Sequence, residues 1–200
     1  MYIMTNDKDI IKYKKFLKSV LSQKRYKHSL NVSAAAARLA KKHGADIYKA
    51  SVAGLLHDIC KEMSGVDQLE LIKHSELSVN PLELRTPSMY HAIAGSVFIQ
   101  KEFNITDEEI IRAIRFHTVC SDKLSLVEQI VYLADLISAD RTYDGVAKMR
   151  RLSSKSISRA MLEALKFQIT SNTEKGNFNF PSTVNAYNEF VLKEKFNESK

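Results

Sequence analysis

The segment that most restricts the fold is residues 46–58. There Ala50, Val52, Ala53, Leu55 and Leu56 cover nearly every face of a helix that Asp46 can cap, and the chain then reads His57-Asp58. A helix that is apolar all round must be enclosed by other elements. Its neighbours supply them. Asp7 is expected to cap a first helix with Ile10, Tyr13, Leu17 and Leu21 on one stripe, and Gly44 to stop an alanine-rich helix over about 26–43. Thr86-Pro87 reads as N-cap and first position of a helix carrying Ala94, Gly95 and Phe98. Thr106-Asp107-Glu108-Glu109 and Ser125-Leu126-Val127-Glu128 are both expected as capping boxes, opening helices with Ile110, Ala113 and Ile114 and with Ile130, Val131, Ala134 and Ile137. Two more helices are predicted near 156–172 and 183–196, joined by the irregular stretch 176–181. With six Gly and three Pro in 200 residues, turns are too scarce for a sandwich or barrel. One all-α helical domain is the expectation.

Charge narrows the partners. Lys plus Arg number 30 against 23 Asp plus Glu, a surplus of +7, which favours anionic ligands. The basic stretches 12–18, 24–27 and 148–155 are interrupted by other residues and read mainly as solvated faces. Nucleic acid is therefore not the expected partner; phosphate-bearing small molecules are. No apolar run reaches the roughly 18–20 residues of a membrane span, and residues 1–9 lack a signal-peptide core. Cys60 and Cys120 make neither a disulfide framework nor a zinc-finger spacing, so a reducing, cytoplasmic setting is expected.

The histidines carry the chemistry. His28 leads a stripe through Val32, Ala35 and Leu39; His57 ends the all-apolar helix; His91 starts a stripe through Ala94, Gly95 and Phe98; His117 follows Ile110 and Ile114. Asp135 lies inside an apolar helix between Leu133-Ala134 and Leu136-Ile137. One histidine on an apolar face is more often a satisfied core residue than a ligand. Several helices each delivering a histidine or aspartate from a core-facing stripe are another matter, because buried polar groups need partners and a metal ion supplies one. Imidazole and carboxylate together suit iron, manganese, cobalt or zinc. His43 and His74 lack such company and are read as surface residues, and Cys60 as a small core residue.

The order His28 … His57-Asp58 … Asp135 resembles the HD superfamily of metal-dependent phosphohydrolases. Further stretches, "RYKHSLNVSAAAARLAKKHG", "KASVAGLLHDICKE", "YHAIAGSVFIQKEFNITDEEIIRAIRFHT", "SLVEQIVYLADLISADR" and "FPST", resemble its YqeK-type branch, the symmetrical dinucleoside tetraphosphate hydrolases. The resemblance implies an HD-domain helical bundle. Within it, residues 1–24 form an N-terminal helix packed on the core, 25–140 the metal-binding core, and 141–200 helices that complete a nucleotide pocket. It implies His28, His57, Asp58 and Asp135 as metal ligands, with iron first and manganese or cobalt as alternatives. Asp58, His91 and His117 become the catalytic set. Arg25, Lys61, His91, His117, Thr118 and Arg141 are implied to contact substrate, as is the loop Phe178, Asn179, Phe180, Pro181, Ser182 and Thr183. Phe180 stands where many members carry a histidine.

The implied reaction is cleavage of diadenosine tetraphosphate into two ADP by a metal-activated water. A bound metal can bring the pKa of water from 15.7 toward about 7, and cations neutralise charge developing on the phosphates. The alternatives are another nucleotide phosphohydrolase such as a nucleotidase, a non-catalytic metal- and nucleotide-binding sensor, and an RNA-binding module. A homodimer through the first and last helices is also open.

Overall fold

The computed structural model describes residues 4–197, with side chains over 8–195. In chain order the helices are α1 (Met4–Val20), α2 (Gln23–His43), α3 (Ile47–Leu56), α4 (Gly65–Lys73), α5 (Pro81–Leu84), α6 (Tyr90–Phe103), α7 (Glu108–Phe116), α8 (Leu126–Ile137), α9 (Val146–Lys155), α10 (Ile157–Glu174) and α11 (Pro181–Asn197). The described residues contain no strand. No helix is long and apolar enough to cross a membrane.

Helix α3 is the enclosed element that its composition requires, with α1, α2, α7 and α8 packed on it. Ala50, Val52, Ala53, Leu55 and Leu56 are all buried, and each fully buried leucine contributes about 1.5–3 kcal/mol. Gly54 lets α2 approach closely: a Cβ there would lie 3.2 Å from both the Ala36 Cβ and the Ser33 Cα. Helix α1 docks through Tyr13 and Leu17, with Leu21 just beyond its end, and the Tyr13 ring lies 4.7 Å from that of Phe103. Helices α6 and α7 form a second pair; α8 packs on α2, α3 and α7, and α9, α10 and α11 follow in succession, each against the one before.

Several caps act as their residue types dictate. The Asp46 side chain accepts from the Lys49 amide and that of Ser125 from the Glu128 amide, while Gly44 ends α2 at φ 74°. Others differ from expectation. The Asp7 side chain lies outside the described residues, and α1 already begins at Met4. Helix α2 starts three residues early because Ser22 caps it. Asp107 caps α7 in place of Thr106, its carboxylate accepting from the Glu109 and Ile110 amides. Thr86 does not cap with its side chain. Its hydroxyl donates to the Leu82 carbonyl, a single 3₁₀ turn follows at Pro87–Met89, and α6 starts only at Tyr90. Ser125 caps without a reciprocal bond, because Glu128 is taken by Arg112 at 2.9 Å. The polar helix α9 occupies the stretch that reads as a basic cluster.

Candidate metal centre

The bundle brings helix ends and one helix interior together. Helix α2 presents Arg25, His28 and Asn31; the turn after α3 presents His57, Asp58 and Lys61. Helix α6 opens on His91, α7 closes on His117, and α8 contributes Asp135, followed by Asp140 and Arg141. His28, His57, Asp58, His91 and His117 are all buried.

Three of the histidines have a defined tautomer. A carbonyl only accepts, so His57 Nδ1, 2.9 Å from the Gly54 oxygen, and His117 Nδ1, 2.7 Å from the Ile114 oxygen, both carry a proton. His28 Nδ1 donates to Asp140 at 2.8 Å, and Asn31 donates to the other Asp140 oxygen at 2.9 Å. Burial alone would raise the Asp140 carboxyl, but these hydrogen bonds hold it down at about 2. In each case Nε2 faces the cluster, the ring orientation that metal-binding histidines adopt. His28 Nε2 and His57 Nε2 are buried with no hydrogen-bond partner. His28 Nε2 lies 3.0 Å from Asp135 Oδ1 without bonding to it, and a cation satisfies both atoms. The donor set therefore fits a divalent metal.

Asp58 divides its two oxygens between two histidine pairs. Oδ2 lies 3.4 Å from His57 Nε2 and 3.9 Å from His28 Nε2; Oδ1 lies 3.4 Å from His91 Nε2 and 3.7 Å from His117 Nε2. Two groups of potential ligands result, His28–His57–Asp58 and Asp58–His91–His117, sharing the aspartate. Burial opposes ionisation of Asp58, yet the imidazoles of His57 and His117 keep its carboxyl well below the usual range. Asp135 Oδ1 is 4.0 Å from His57 Nε2 and also takes the Arg141 guanidinium.

Three cations crowd this acidic centre. Arg25 donates to Asp58 Oδ2 at 2.7 Å, Arg141 Nε to the Asp135 carbonyl at 2.8 Å, and Lys61 Nζ lies 3.1 Å from His91 Nε2. Arg25 and Arg141 keep about a third of their side chains exposed, whereas His57 is sealed; the two arginines mark the mouth. Burial lowers the Lys61 ammonium, with the Arg25 charge adding to it against the pull of Asp58. Burial, then the His117 and Lys61 charges, push His91 down to about 2. His91 is therefore a neutral imidazole, suited to ligating or accepting rather than donating a proton as an acid.

The HD domain family matches residues 25–140. The chain belongs to that family. Two relatives, from Halalkalibacterium halodurans and Bacillus subtilis, are each named a symmetrical bis(5'-nucleosyl)-tetraphosphatase. The first is 34% identical over 90% of this chain and 95% of its own length; the second is 31% identical over 88% and 94%. A solved structure from Clostridium acetobutylicum, described as a predicted HD superfamily hydrolase involved in NAD metabolism, superposes with a TM-score of 0.88. It is 33% identical, covering 92% of this chain and 97% of that one.

The implied nucleotide loop is only partly open in this HD protein. Phe178 is exposed, but Phe180 is buried and Pro181 simply starts α11. Asn179 ties the loop down by donating to Thr173 at 2.9 Å. Thr183 is fully buried and its hydroxyl donates to the Val119 carbonyl, so it is committed to the backbone and not free for a ligand. Gln168 donates to the Thr118 carbonyl at 2.8 Å. Together Gln168 and Thr183 clamp the turn that leaves His117, a turn strained at Cys120 (φ 60°). The Thr118 Oγ1 is buried and unpartnered. Phe178 and Phe180, with residues 85–89 and Gln168 of α10, border a cavity of about 310 Å³, which the half-buried Ser182 does not line. His43 is half-buried, its ring 2.8 Å from the Ser153 carbonyl, and not the surface residue expected; His74 is exposed. Asp140, Asn31, Gln168 and Arg150 escaped the sequence reading. Asp140 alone had a local signal, an acid placed five residues beyond Asp135.

Proposed function

We propose that this chain is a metal-dependent hydrolase that splits diadenosine tetraphosphate, or a close dinucleoside tetraphosphate, symmetrically into nucleoside diphosphates. The observation that carries the reading is Asp58 shared between two histidine pairs beside Arg25, Lys61 and Arg141. The arrangement suits two divalent ions held by His28, His57 and Asp135 on one side and His91 and His117 on the other, with Asp58 between them. When bound, such ions supply Lewis-acid charge and an acidified water. Iron is our first choice of metal, with manganese or cobalt next, as the family resemblance implies; imidazole and carboxylate donors suit all three.

The protein's own residues do the rest. Asp140 and the Gly54 and Ile114 carbonyls fix ring orientation before substrate arrives, so little reorganisation is needed. Arg25 and Arg141, at the mouth, take phosphate oxygens on either side of the scission point. Lys61, its ammonium weakened by burial, meets the charge that develops on the departing ADP oxygen. The names of the two tetraphosphatase relatives support the substrate. Incubating metal-loaded protein with diadenosine tetraphosphate and separating the nucleotides tests the proposal. Two ADP per substrate is the expected result; AMP plus ATP, or no turnover with any of the three metals, overturns it.

A further inference from the structure

A second cleft opens beside α10 and the loop that follows Arg141, and no residue of the metal centre lines it. Residues 138–145 link α8 to α9, and the Arg150 guanidinium locks them. It donates to the Ile137, Ser138 and Arg141 carbonyls at 3.0, 2.7 and 2.9 Å. The loop that carries Arg141 to Asp135 therefore also holds Tyr143 in a fixed place, two residues further on. The Tyr143 ring stacks on Phe167 of α10, with centroids 6.1 Å apart and planes 20° from parallel. Phe167 is 58% exposed, which is unusual for a phenylalanine that serves only the core. The two rings border a cavity of about 130 Å³ with Leu136, Met149, Leu152 and Ala164. Asp144 and the Lys148–Glu163 pair (3.7 Å) also line it. A mostly apolar hollow with a few polar groups, smaller than the roughly 300–1,000 Å³ of a whole-ligand pocket, suits one part of a ligand.

We propose that Tyr143 and Phe167 form a stacking platform for one nucleobase of the substrate, making this cleft a nucleoside subsite on the Asp135–Arg141 side of the metal centre. The inference rests on the proposed reaction. Symmetrical scission puts one nucleoside diphosphate on each side of the cut, so two nucleoside subsites must flank the metal centre. The cavity beside Phe178 adjoins the His91–His117 side, through residues 85–89 and through Gln168. The Tyr143–Phe167 cleft adjoins the Asp135–Arg141 side, through Leu136, next to Asp135 on α8, and through Tyr143, two residues beyond Arg141. A planar base covers the exposed Phe167 face and removes it from water. The Asp144 carboxylate, exposed beside the rings, accepts from an exocyclic amine or ribose hydroxyl. The phosphates attached to that nucleoside then run past Arg141.

The test uses metal-loaded full-length protein with Phe167→Ala and Tyr143→Ala, Tyr143→Phe serving as the conservative control. For diadenosine tetraphosphate, KM should rise about 5- to 150-fold in the alanine variants, the span that base–aromatic stacking covers. In the same variants kcat should stay within about 2-fold, and Tyr143→Phe should match the wild type. Calorimetric binding of ADP reads the platform without turnover and should show weaker binding in both alanine variants. If KM and ADP affinity stay within about 2-fold of wild type, the platform is wrong whatever the reaction. Weakened ADP binding in a protein that does not cleave the tetraphosphate keeps the platform and overturns the reaction.

Discussion

Removing Glu83 should unfold this protein far more readily than its place on a four-residue helix suggests. Glu83 on α5 and Arg115 on α7 form a bidentate pair, 2.9 Å and 2.7 Å, with residue exposures of only 4% and 7%. Glu83 also accepts from the Asn80 amide at 3.3 Å, completing the capping box of α5. In Glu83→Ala the guanidinium stays buried against the Phe116 ring with no acidic partner. Breaking one side of a buried pair costs about 3–5 kcal/mol, and the lost reciprocal bond to the Asn80 amide adds about 1 kcal/mol. The loss of about 4–6 kcal/mol corresponds to a fall in Tm of about 8–24 °C in a chain of this size. Urea denaturation followed by far-ultraviolet circular dichroism reads it directly. The double variant Glu83→Leu/Arg115→Met removes both charges and should recover most of the loss, because an apolar pair of similar volume is often neutral or stabilising. A single-variant loss below about 1.5 kcal/mol would refute the reasoning. So would a double variant as unstable as Glu83→Ala.

Asp140→Ala should weaken metal binding about 10- to 100-fold by releasing the His28 ring, measured by competition with a chelator; unchanged affinity would show that the ring needs no such support. Thr183→Val should cost about 1–3 kcal/mol in urea denaturation, leaving the buried Val119 carbonyl unpaired, and Thr183→Ser should restore stability; equal stability of Val and Thr would contradict the clamp. Burial raises the Cys60 and Cys120 thiols to about 12. At pH 8 both are therefore neutral and poor nucleophiles, and iodoacetamide should label the native protein far more slowly than the protein in urea, with the native rate climbing only as pH approaches about 12. Fast native labelling at pH 8 would contradict their burial.

Much of this site is legible in the sequence because it lies on helical stripes. His28, His57, His91, His117 and Asp135 stand at core-facing positions that a 3.6-residue period exposes, and the fold brings all five within one cluster. The supporting groups are not legible in this way. His28 and Asp140 are separated by 112 positions and Glu83 and Arg115 by 32, so only packing pairs them. Thr183 carries the signature of a loop contact, but burial turns its hydroxyl toward a backbone carbonyl. The Thr86 and Asp107 differences have a local cause: several capping residues lay within reach, and hydrogen-bond geometry chose among them. Helix α9 has few apolar residues and begins after Gly145 at φ 94°, so its periodicity was masked by charge.

The central claim is that Asp58 joins the two histidine pairs into one hydrolytic metal site. Metal content and ADP output measured on the same samples of wild type and Asp58→Asn test it most directly. The account predicts about two ions per chain in the wild type, with bound metal and ADP output from diadenosine tetraphosphate both lost in Asp58→Asn while the helical circular dichroism spectrum is kept. An Asp58→Asn protein that retains its metal and its turnover would contradict it.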